Sequence, residues 1–96
     1  MKLQDISAIF VNHEVELIQR GVKELAIFGS VARGDSSPHS DVDILVEFDR
    51  PIGLFEFIRL KILLEEWLGC QVDLATPDAL HPAMRERILN EAIYVR

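Results

Sequence analysis

Asp41-Val42-Asp43-Ile44-Leu45-Val46-Glu47-Phe48 is the segment on which the fold turns. Its aliphatic run, closed by Asp49-Arg50-Pro51, predicts a strand over 41–48. Side chains alternate along a strand, so Asp41 and Asp43 project from one face while Val42 and Ile44 point into the other. Two carboxylates side by side repel unless a cation lies between them, and oxygen-rich sites of this kind suit Mg²⁺ or Mn²⁺. Taken alone, the pair fits a metal site less well than a strand start carrying two solvated aspartates.

Upstream, Glu24 to Phe28 reads as a short strand halted by Gly29-Ser30, and Ser30-Val31-Ala32-Arg33 as one helical turn before Gly34. Gly29 allows close backbone approach. Ser30 would present its hydroxyl and nearby amides to an anion, and Arg33 would add a positive fork from the same turn. No Gly-Lys-Ser/Thr follows, so this is not a Walker A loop, and a capped turn between strands is the plainer alternative. Arg33-Gly34-Asp35 is a chance match to the cell-adhesion tripeptide. Residues 35–40 have the composition of a loop.

Downstream, Ile52 to Leu68 is a helix stopped by Gly69, with Phe57, Leu60, Leu64, Trp67 and Leu68 on one side and a second apolar stripe of Phe55, Ile58 and Ile62. Either the C-terminal helix or a partner would cover that second stripe. Cys70 to Ala75 is a further strand, in which Asp73 faces away from Val72 and Leu74. A neighbouring strand would bring Asp73 beside Asp41 and Asp43, making a site for two divalent ions of the kind that clamps attacking and leaving oxygens in phosphoryl or nucleotidyl transfer. Glu47, on the same strand face as the two aspartates, is the alternative third carboxylate. Asp73 would otherwise be an edge-strand charge that discourages aggregation.

At the ends, Ile6, Ile9, Phe10, His13 and Leu17 form one face of a helix over 6–18 that stops near Gly21, with a weaker stripe of Val11, Val15 and Ile18. His13 is expected to be a packing histidine. Pro82 to about Ala92 is a last helix with Pro82 in its first turn. The order α, β, short α, β, α, β, α predicts an α+β domain with a small mixed sheet and helices mainly on one face.

The 96 residues suffice for one domain, 1–96. Ten Lys+Arg against sixteen Asp+Glu give a formal charge of −6, which argues against gripping nucleic-acid phosphates unaided. One cysteine, Cys70, permits no internal disulfide, and no Cys/His cluster has zinc spacing, which suits a reducing cytoplasm. Charges at Lys2, Asp5, Glu14 and Glu16 interrupt any signal or membrane-spanning segment near the N-terminus. At 49% hydrophobic residues the chain is nonetheless rich in apolar side chains for so short and acidic a protein.

Gly29-Ser30, Arg33-Gly34-Asp35 and Ser40-Asp41-Val42-Asp43, followed by an apolar strand, together resemble the nucleotidyltransferase superfamily whose palm-like fold is shared with DNA polymerase beta. The resemblance covers roughly Leu25 to Ala75. The chain's length points to the minimal nucleotidyltransferases, the antitoxins paired with HEPN-domain toxins. The resemblance implies ATP as substrate, AMP transfer to a tyrosine of the HEPN ribonuclease, and Mg²⁺ (two ions) or Mn²⁺ held by Asp41, Asp43 and Asp73. Gly29, Ser30 and Arg33 would bind the nucleotide, and Asp73 would also take the proton of the attacking hydroxyl. Two other readings are an inactive relative that neutralises its partner by covering it, and a transferase acting on a small molecule.

Overall fold

Two strands joined through the Gly29 turn organise the molecule, and every other element is placed against them. The computed structural model describes residues 1–35 and 41–96; all of the expected 35–40 loop after Asp35, Ser40 included, lies outside the described residues. Strand β1 (Val22–Phe28) runs antiparallel to β2 (Val42–Phe48), with Ile27 opposite Ile44 and Phe28 opposite Asp43. Helix α3 (Gly29–Arg33) directly follows β1. Helix α4 (Leu54–Leu68) then carries the chain across to β3 (Val72–Ala75), which lies parallel to β2. A short 3-10 turn (Pro77–Ala79) leads into α5 (Pro82–Glu91), and β4 (Ile93–Tyr94) closes the chain, antiparallel to β1. The sheet order is β3-β2-β1-β4.

The expected α+β class and mixed sheet are what the chain adopts; β2, α4 and β3 begin one or two residues later than expected, and three further differences bear on the architecture. Strand β1 begins at Val22 rather than Glu24, because Val22 pairs with Phe48 across a register shift in the ladder. The first helix is two: α1 (Leu3–Asn12) and α2 (Glu14–Gln19), broken at His13, whose amide donates back to the Phe10 carbonyl in a tightened turn. The last strand, β4, is too short to show an alternating pattern, and its place at the edge comes from backbone pairing with Ala26 and Ile27.

Alternation along β1, β2 and β3 separates two cores. On one face Leu25, Ile27, Val42, Ile44, Val46, Val72 and Leu74 are buried under Ile6, Phe10, Leu17, Leu60, Leu64 and Leu68 of α1, α2 and α4. Burial of such aliphatic side chains contributes about 1.5–3 kcal/mol each and is the main stabilising term. On the other face Ile88 of α5 covers Ala26 and Leu45, with Phe28, Ala75, Leu80 and Ala92 partly buried around them. Helices therefore pack mainly on one face, and the opposite face stays partly open around the aspartates.

His13 does pack, as a ring stacked on Trp67 with centroids 3.9 Å apart and planes 7° from parallel. A stacked pair of this kind contributes about 0.5–1.5 kcal/mol beyond its burial. His13→Ala is expected to lower the unfolding free energy by about 1 kcal/mol in urea titration, with the transition followed by Trp67 fluorescence; an unshifted midpoint would mean the stack contributes nothing.

Since α5 lies across the sheet from α4, it cannot cover the second stripe of α4. Phe55 is 82% exposed and Leu54 71%, with Ile58 and Ile62 also exposed. Val11, Val15 and Ile18 are exposed likewise. Among the described residues no helix is long and apolar enough to cross a membrane.

Candidate active site

The parallel register of β2 and β3 sets Asp43 directly opposite Asp73. Both lie on the face that α5 only partly covers, since their neighbours Val42, Ile44, Val72 and Leu74 belong to the main core. Asp41, two residues before Asp43, is exposed just ahead of β2. Glu47 is opposite Glu24, four residues farther along β2, and so roughly 13 Å from Asp43 at the rise of an extended strand. Of the two candidates for a third carboxylate, Asp73 is the neighbour of Asp43 and Glu47 stands at the other end of the strand.

Gly29 follows Phe28, which is itself opposite Asp43, and takes a left-handed backbone with φ +70°. A Cβ built at this position would collide with the Asp43 carboxylate. The glycine thus makes room for the aspartate, a role the Gly-Ser pattern alone does not reveal. Ser30 follows in the first turn of α3, partly buried, and Gly34 ends the helix in a left-handed conformation at φ +78°.

Burial pushes the Asp43 carboxyl above its ordinary value of 3.8; the nearby charges of Asp73 and Asp41 push it further, and Arg33 opposes them. Two carboxylates in register on neighbouring strands suit a divalent cation, whose charge relieves their repulsion. Among the described residues no three His, Cys, Asp or Glu side chains are grouped so as to hold a metal ion; the candidate donors are Asp43 and Asp73, in register, with Asp41 just ahead of β2. That donor chemistry fits Mg²⁺, an ion that keeps several waters and takes one or two carboxylates.

Sequence reasoning missed Glu91. Its Oε1 accepts the Gly29 amide at 2.9 Å and the Arg33 Nη1 at 3.3 Å, while Arg33 Nε also donates to Asp35 at 3.4 Å. Glu91 is separated from Gly29 by 62 positions, and no local pattern marks it. A cleft of about 500 Å³ opens at the other end of the sheet, beside Glu47, Phe57 and Arg85, and does not include Asp41, Asp43 or Asp73.

Known proteins share this sequence pattern and fold. The nucleotidyltransferase domain family matches residues 11–95. The protein adenylyltransferase MntA of Thermococcus cleftensis is 41% identical over 96 residues, covering 99% of this chain and 97% of the relative. A solved minimal nucleotidyltransferase superposes with a TM-score of 0.81 at 38% identity, over 97% of this chain and 95% of the other. The fold also recurs, at 16% identity and a TM-score of 0.65, in a complex of the tri-AMPylated Shewanella oneidensis HEPN toxin with its MNT antitoxin, over 94% of this chain and 71% of that one. With the matched domain spanning most of the chain, and the Gly29 turn set against Asp43 on a mixed sheet, the chain belongs to the nucleotidyltransferase domain family, in its minimal, polymerase beta-like branch.

Proposed function

We propose that this protein is a Mg²⁺-dependent protein adenylyltransferase that transfers AMP from ATP to a tyrosine of a HEPN-domain ribonuclease toxin, and so acts as the antitoxin. It would do so as a single domain, 1–96, in the cytoplasm, without direct contact to nucleic acid. The observation that carries the reading is the Asp43–Asp73 pair, in register on neighbouring strands, beside the Gly29-Ser30 turn. An Asp43 carboxyl held above its ordinary range by burial and by the charges of Asp73 and Asp41 has a physical use if a cation is to sit against it.

In this reading Asp41 and Asp43 hold the metal ions and Asp73 completes the set. Bound there, Mg²⁺ would neutralise charge on the transferring phosphate and lower the barrier electrostatically. Ser30 grips the triphosphate, and Arg33 offsets its charge. Asp73 accepts the proton of the tyrosine hydroxyl as its oxygen forms a bond to the α-phosphorus; the bond to the bridging oxygen breaks and pyrophosphate leaves. Positioning of the reactants supplies much of the acceleration. The MntA relative at 41% identity supports protein as the acceptor.

The exposed apolar side chains of α4, Phe55 and Leu54 above all, are a surface that a partner protein would cover. They also favour the second reading, an antitoxin that works by covering its toxin without chemistry. Incubation with the toxin, ATP and Mg²⁺, followed by mass spectrometry, separates the two: addition of AMP groups to a toxin tyrosine supports transfer, whereas neutralisation with no mass change supports covering alone. Label on a small molecule instead would redirect the acceptor.

Within the site, Ser30→Ala is expected to weaken ATP binding about tenfold, the loss of one hydrogen bond to a charged group. Calorimetry with Mg²⁺ and ATP measures it, and unchanged affinity would remove Ser30 from the grip.

A further inference from the structure

We infer that Glu91 is the positioning residue of the nucleotide grip, an inference that rests on the adenylyltransferase reading above. Helix α3 is one turn of five residues, Gly29–Arg33. A helix so short does not hold its own shape, because the first turn fixes several dihedrals for one hydrogen bond. Gly29 and Arg33 stand at its two ends, four positions apart, and therefore on the same side of the turn. One oxygen of Glu91 clasps both, taking the Gly29 amide at 2.9 Å and the Arg33 guanidinium at 3.3 Å. The clasp fixes the Phe28–Gly29 peptide, one residue before Ser30, and the direction of Arg33, and so helps aim the two side chains assigned to the phosphates.

The location of Glu91 makes this contact more than an incidental ion pair. It is the last residue of α5, where the helix presents its free carbonyls and no basic residue stands in the final turn to offset them. A carboxylate is disfavoured at that end of a helix. Its side chain is only 23% exposed, and the donors that compensate it come from α3. The C-terminal helix is thereby tied to the Gly-Ser turn across the open face of the sheet, close to the aspartates and without joining them.

The test is calorimetric titration of Mg²⁺ and ATP into the full chain, as wild type, Glu91→Ala and Glu91→Gln, with steady-state transfer to the toxin measured in parallel. Glu91→Ala is expected to weaken ATP binding about tenfold and to raise the KM for ATP by a similar factor, with kcat at saturating ATP changed less than about threefold. Glu91→Gln keeps an acceptor oxygen for the Gly29 amide and is expected to recover most of the affinity. A purely structural residue would lower the thermal midpoint of Glu91→Ala and leave ATP affinity unmoved, which would overturn the inference. Tighter binding in Glu91→Ala would overturn it too, showing that the carboxylate competes with the phosphates. Wild type that binds no ATP would sink the adenylyltransferase reading, and this inference with it. Amide exchange of Gly29 in the wild type needs no variant: slow exchange is expected, and exchange at the rate of an open amide would refute the clasp.

Discussion

Asp41→Asn combined with Asp43→Asn is expected to reduce AMP transfer by about a thousandfold or more, since losing even one preorganised charge-stabilising group costs roughly 10²–10³ in rate. The fold should survive. Asp43 is held above its ordinary carboxyl value by burial and by Asp73 and Asp41, so its ionised form opposes folding. Asn carries no charge, and its amide can still donate to Asp73. Without metal, the double variant should therefore unfold at the same urea concentration as wild type or a higher one. The sign of the pH dependence follows from linkage: with a raised pKa the folded state holds more protons than the unfolded chain between 3.8 and the folded value. In that interval the Asp43 contribution to stability falls as pH rises, and above it the penalty is present in full. The advantage of the variant over metal-free wild type should thus grow with pH and then level off. Mg²⁺ should reverse the ranking: at a hundred times its dissociation constant a ligand stabilises the folded state by about 2.7 kcal/mol, and only the wild type would gain it. A double variant that still labels the toxin, or whose thermal midpoint responds to Mg²⁺ as the wild type does, would remove these aspartates from the metal site.

Gly29→Ala is the second large effect. The residue sits at φ +70°, where a side chain costs about 1–2 kcal/mol, and its new Cβ would run into the Asp43 carboxylate. Together these should lower stability by at least about 2 kcal/mol, or the thermal midpoint by roughly 10 °C for a domain of this size. Transfer activity should fall further than stability does, because the collision displaces a proposed metal ligand. Adding Asp43→Ala in the same chain isolates the contact: if the clash matters, part of the lost stability returns, leaving the backbone term. Full additivity of the two substitutions would show that the carboxylate simply moves aside.

How much of this was readable in advance depends on how far apart the cooperating residues lie. Val42 and Ile44 against Asp43 needed only the two-residue period of a strand. The Gly29 turn needed only the interruption of an apolar run, and α4 only its 3.6-residue stripe ending at Gly69. The break at His13 was not legible, since Ile6, Phe10 and Leu17 keep helical spacing straight through it; the ring that stacks there belongs to Trp67, on another helix. Nor was the fate of Phe55 and Leu54, whose exposure depends on α5 crossing to the opposite face of the sheet.

The α+β class, the family resemblance, and the alternation that turns Asp43 away from Val42 and Ile44 were legible in the sequence, because alternation and turn chemistry act between neighbours in the chain; Asp41, expected on the same strand, lies just ahead of it. Long-range packing sets Asp73 rather than Glu47 beside Asp43, gives Gly29 a carboxylate to make room for, brings Glu91 to clasp α3, and adds β4 to the sheet. Those four outcomes are set by strand order and register. Register is fixed when helices of particular length and apolar face pack across the sheet, and no short window of residues contains that information.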